Sequence, residues 1–120
     1  MNNFIKLICS VFVLLCAHSA FACDYPRRIE IPNGTMATKE DMLEGQRSVK
    51  KFVGDMEVYL ECIVDEEKAT RTTMENISAE DEQQREDMLN KKYNAAVDEM
   101  ERIAAQFNVE VQAYKAKSSS

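Results

Sequence analysis

Apolar residues recur at alternating spacings of three and four between residues 42 and 114, with a single interruption, and this confines the chain to amphipathic helices. Met42, Val49, Met56 and Ile63 repeat every seven residues. Phe52 and Tyr59 fill the intermediate positions, Gly45 stands at the earlier one, and Val53 and Leu60 widen the stripe. The spacing is that of a coiled-coil seam, and it predicts a first long helix. Thr38-Lys39-Glu40-Asp41 resembles a capping box that opens it, with acids in the first turn where the helix dipole favours them. Gly45 and Gly54 weaken it, each costing up to about 1 kcal/mol against alanine.

The interruption runs from Thr70 to Ile77. Thr70, Thr72 and Thr73 are weaker helix formers, and Asn76 is a common terminator, so a turn is predicted near 74–78. Ser78-Ala79-Glu80-Asp81 looks like a second capping box. The helix it opens carries the seam Leu89, Tyr93, Ala96, Met100, Ile103, Phe107, Val111 and Tyr114. Its first turns, Glu80 to Asp87, are polar and are expected in solvent, while residues 118–120 read as a disordered tail. Two long helices and one short connection define an all-α, antiparallel two-helix hairpin over residues 38–117. Such a hairpin has a thin core. Self-association into a four-helix bundle is the alternative way to cover the two seams.

Residues 23–37 read as an extended arm. Pro26 and Pro32 forbid a regular helix through it. Ile31-Pro32-Asn33-Gly34 has a turn signature, with Asn-Gly tolerant of positive φ. Before the arm, residues 1–22 have the features of a secretory signal peptide. Lys6 precedes the apolar run Leu7 to Ala17, and Ala20-Phe21-Ala22 places small residues at −3 and −1 of a cut between Ala22 and Cys23. The run is too short for a comfortable membrane span, which takes about 20 apolar residues. The expected mature chain, 23–120, has no transmembrane span and is periplasmic or secreted.

Cys9 and Cys16 leave with the signal, so Cys23 and Cys62 remain as one pair in an oxidising compartment, where pairing is expected. The geometry permits it. A helix from Lys39 to Cys62 rises about 35 Å, and the arm can span up to about 53 Å, so it can fold back to Cys62. The rival reading puts a lipid on Cys23 as the first mature residue. Bulky Phe21 fits a lipoprotein signal poorly, and lipidation would strand Cys62 as a free thiol.

Losing Lys6 makes the formal charge of −6 one unit more negative. Such a chain repels nucleic-acid phosphate and anionic lipid at long range, so neither is an expected partner. The one histidine, His18, also leaves with the signal, and no Ser-His-Asp or Cys-His set can be built from what remains. No C-x-x-C spacing supports zinc, and Gly34, Gly45 and Gly54 make no phosphate-cradling loop. Asp65-Glu66-Glu67 and Glu80-Asp81-Glu82 with Glu86-Asp87 flank the predicted turn. They would crowd together there as a weak divalent-cation site or, more simply, form a solvated acidic face; no EF-hand spacing is present. Met42, Met56, Met88 and Met100 lie on or beside the seams and suit an interior between helices or an adaptable binding face. Asn76-Ile77-Ser78 matches a glycosylation sequon, but Ser78 is better explained as a cap.

Several short segments carry a resemblance. They are the signal ending before Cys23, Ile31-Pro32-Asn33-Gly34, Glu40-Asp41-Met42-Leu43 with Gln46, Val49-Lys50, Phe52, Tyr59-Leu60-Glu61-Cys62, Phe107-Asn108 and Tyr114-Lys115. With these the chain resembles an uncharacterised family of small exported proteobacterial helical proteins. It departs at Asn33, where the family's pattern has Asp before the glycine. The resemblance implies location and helical form and carries no activity. The expectation is therefore a non-enzymatic exported module, without catalytic residue, cofactor or metal, that binds an unknown protein partner or itself. The alternatives are a lipid-anchored envelope protein through Cys23 and a weak divalent-cation-binding protein.

Overall fold

A computed structural model describes residues 22–120; the signal peptide expected over residues 1–22 lies outside them apart from Ala22. Two helices, α1 (Lys39–Thr72) and α2 (Ala79–Ser118), pack against each other as a hairpin, and an extended arm precedes them. The protein is thus an all-α helical hairpin.

Local chemistry sets the helix ends. At Thr38 the capping box is complete: the Asp41 amide donates to Thr38 Oγ1 at 3.2 Å, and the Thr38 amide donates to Asp41 Oδ2 at 2.8 Å. The Thr38 hydroxyl, which donates to Asp41 Oδ2 at 2.7 Å, and after it the Thr38 amide hold the Asp41 carboxyl below its usual range. At Ser78 the Asp81 amide donates to the hydroxyl at 3.1 Å and the hydroxyl donates to Asp81 Oδ2 at 2.7 Å, as at Thr38, but the Ser78 amide does not donate back to Asp81. That is a serine cap rather than the reciprocal box expected there. Between the helices Asn76 adopts φ 58°, the left-handed conformation that asparagine tolerates best after glycine.

One expectation is corrected. The tail predicted as disordered finishes α2 instead: Ser118 is helical, and the hydroxyls of Ser118, Ser119 and Ser120 donate to the carbonyls of Tyr114, Lys115 and Ala116. These hydroxyls satisfy carbonyls that the end of a helix leaves without amide donors. The turn expected at Ile31-Pro32-Asn33-Gly34 forms, over residues 34–36, without a positive φ at Gly34. The Asn33 side chain makes the turn by accepting from the Thr35 amide at 3.0 Å, and the Ala37 amide closes onto the Asn33 carbonyl at 2.8 Å.

The core lies between α1, α2 and the arm. Met42, Val49, Phe52, Met56, Leu60 and Ile63 of α1 meet Ala96, Ile103 and Phe107 of α2, with Met56 and Ala96 fully buried. Tyr59, Leu89, Met100, Val111 and Tyr114 are half-buried at its edges. The arm runs back along α1 and contributes Ile29, Ile31 and the buried Ala37. Gly45 is the crossing point. A Cβ there would stand 2.7 Å from the Pro32 ring and 3.0 Å from Phe107, so its absence lets the arm lie close on both helices.

Candidate functional site

The apolar seam does not run the length of the hairpin. From residue 64 to residue 95 no residue is buried, so the turn end of the molecule has no core of its own. At the positions that would extend the seam, α1 carries Glu67, Thr70 and Arg71, and α2 carries Glu82 and Arg85. Arg85 grips Glu67 with two bonds, Nε to Oε1 at 3.0 Å and Nη2 to Oε2 at 2.9 Å. Arg71 donates to Glu67 at 3.1 Å and reaches across the turn to Glu82 at 3.0 Å. Four charged side chains therefore join the helices where apolar packing stops. Bidentate guanidinium–carboxylate pairing fixes both distance and orientation.

The Glu67 side chain is only 17% exposed. The bonds from Arg85 hold its carboxyl below the ordinary glutamate range; burial works in the opposite direction, and Arg71 adds to the lowering. A carboxyl whose folded pKa is depressed stabilises the fold above its unfolded pKa, and that contribution is lost as pH falls through the folded value. Acid unfolding should therefore show a loss beginning near pH 4 and continuing below it. Glu67→Gln should remove about 1 kcal/mol at neutral pH and flatten this part of the profile. Urea unfolding of both proteins between pH 7 and pH 2 checks the prediction; parallel profiles would refute it.

Apolar side chains around this ionic seam remain in contact with solvent. Met88 is 54% exposed, Tyr93 40% and Met74 39%; Ile77 and Leu89 are half-buried. An open cavity of about 200 Å³ lies between the helices, with Ile63, Met88 and Leu89 beside Glu67, Arg85 and Lys92. Tyr93, expected in the seam, stands at its rim instead. The ring stays 40% exposed, while Tyr59 of α1 packs against Tyr25 of the arm.

The acidic runs that flank the turn lie mostly in solvent, the simpler of the two readings. Glu67 and Glu82 are drawn to arginines, and among the described residues no group of three or more acidic, cysteine or histidine side chains is placed to hold a metal ion. His18 lies outside the described residues. Arg71 and Arg85 were not anticipated as site residues. A signal for them exists: Glu67 follows Ile63 by four positions and Arg85 precedes Leu89 by four, so opposite charges occupy seam positions on both helices.

Cys23 and Cys62 form the expected disulfide, with their Cα atoms 5.7 Å apart. It anchors one end of the arm halfway along the hairpin. The rest of the arm is held by three polar contacts. The Gly34 amide donates to Glu110 Oε2 at 2.7 Å, Lys117 Nζ donates to the Ala37 carbonyl at 2.7 Å, and Arg28 pairs with Glu99 at 3.4 Å. The Glu99 carboxyl is held below its usual range chiefly by Arg102. Among the described residues no helix is long and apolar enough to cross a membrane. The chain matches no known protein family, no curated protein and no solved structure.

Proposed function

We propose that this chain is an exported, non-enzymatic helical interaction module, periplasmic or secreted after cleavage between Ala22 and Cys23, that binds a protein partner or a second copy of itself through the turn end of its hairpin. One observation carries the reading: Met74, Met88 and Tyr93 stay exposed on the stretch where the hairpin has no core. Methionine adapts to varied apolar surfaces, and tyrosine suits a boundary that is half wet. The intramolecular disulfide agrees with an oxidising compartment. It also occupies the sulfur that a lipid anchor at Cys23 would require.

Photo-crosslinking from the two ends of the hairpin tests this. With a benzophenone side chain at Met88 in the native host, the expected result is a discrete covalent adduct, lost when Met74 is changed to Glu. The same probe at the exposed Glu101 should give none. A monomer without adducts at either position would overturn the proposal.

A further inference from the structure

The surroundings of the Cys23–Cys62 bond differ on its two sides. Tyr59, nearly one turn before Cys62, packs edge-on against Tyr25 of the arm with ring centroids 5.0 Å apart. Glu66 lies one turn after Cys62, and its Oε2 stands 3.4 Å from Cys23 Sγ. A disulfide sulfur has no proton to donate, so this is an anion held against sulfur rather than a hydrogen bond. Among the described residues Glu66 forms no salt bridge, although the neighbouring Glu67 is held by two arginines. The position four residues after Cys62 puts Glu66 on the cysteine's own helix face. The two cysteines are half-buried, so the bond is within reach of small thiols.

We propose that Glu66 is an electrostatic guard on the Cys23–Cys62 bond, slowing its reduction by thiols and most of all by anionic ones. Reduction begins when a thiolate attacks one sulfur in line; the S–S bond breaks, and its electron pair leaves on the other sulfur as a thiolate. A second thiolate then displaces the protein sulfur from the mixed disulfide. After proton uptake this leaves two cysteine thiols and the oxidised small disulfide. Attack on Cys23 brings the incoming negative charge against Glu66. Attack on Cys62 makes Cys23 the leaving group, and its charge develops beside the same carboxylate. Both routes therefore meet repulsion at short range. The consequence reaches the whole arm, because its remaining ties to the helices are non-covalent.

The test is the rate of reduction of the oxidised protein by mercaptoethanesulfonate (anionic), 2-mercaptoethanol (neutral) and cysteamine (cationic). The three are compared at equal thiolate concentration, with trapped products resolved by mass. Glu66 is exposed, so Glu66→Gln retains the fold, and Glu101→Gln on the exposed face of α2 removes one charge elsewhere. Glu66→Gln should accelerate the anionic thiol about five- to tenfold and the cationic thiol less than about twofold, a gap that about 1 M salt should narrow by screening. Glu101→Gln should match the parent protein. Equal acceleration by all three thiols with the mixed disulfide trapped on Cys23 would mean a loosened arm rather than a removed charge, and unchanged rates would mean that Glu66 does not act on the bond; either result overturns the proposal.

Discussion

Replacing Cys62 with serine is expected to lower the stability of the hairpin by about 4 kcal/mol at 25 °C, the largest effect of any single side chain here. The two cysteines are 39 positions apart. Opening a loop of that length returns about 4 kcal/mol of conformational freedom to the unfolded chain in the chain-entropy treatment. A domain of this size loses about 4–8 °C of melting temperature per kcal/mol, so the midpoint should fall by at least about 15 °C. The fold has little with which to absorb the loss, since the stretch from residue 64 to residue 95 has no buried residue and the core occupies the other half. Circular dichroism melts with and without reductant check this. The parent protein in reductant should approach the variant's midpoint, and the variant should not respond to reductant. A variant less than about 1 kcal/mol weaker would show that arm packing alone holds the fold together.

Gly34→Ala should remove about 3 kcal/mol, an unusual cost for one methyl group in a turn. A Cβ at Gly34 would overlap the Glu110 carbonyl oxygen and stand 2.9 Å from the Tyr114 amide nitrogen. Both are backbone atoms of α2, and helix backbone does not yield as a side chain would. The arm must lift, at the cost of overpacking and of the bond from the Gly34 amide to Glu110, whose charged acceptor makes it worth more than an ordinary one. Gly54→Ala is the internal comparison. It points into open space, and removing a helical glycine there should stabilise by up to about 1 kcal/mol. Urea midpoints of the two variants should move in opposite directions; a shared direction would mean that the arm does not lie on α2 at Gly34.

The hairpin and its staple are legible in the sequence because both leave short-range marks. The three-and-four spacing fixes a helix face, Thr38 with Asp41 and Ser78 with Asp81 mark the starts, and a single cysteine pair leaves one way to close a disulfide. The end of the core is harder to read. Leu89 continues the α2 pattern without fault, but beside Ile63 it shares its cavity with Glu67 and Thr70, a correspondence set by where the turn places the two helices. The arm is harder still. Its sequence announces extension through Pro26 and Pro32, but not that Gly34 touches α2 or that Ala37 is buried. Those contacts join residues more than 70 positions apart, Gly34 to Glu110 and Lys117 to Ala37, and no local pattern encodes them. Tyr93 and the guanidinium bridge at the turn end belong to the same class, since their roles follow from the pairing of two helices rather than from either one.

Export with cleavage before Cys23 is the proposal, and the Cys23–Cys62 disulfide is the structural feature it must agree with. The intact mass of the protein recovered from the envelope of its native host, taken with and without reduction before thiol alkylation, tests that most directly. The predicted result is a mass beginning at Cys23 that takes up no alkylating agent until it is reduced and two equivalents afterwards. A mass raised by acyl chains, with Cys62 reactive before reduction, would contradict it and make the protein a membrane-tethered one with no staple.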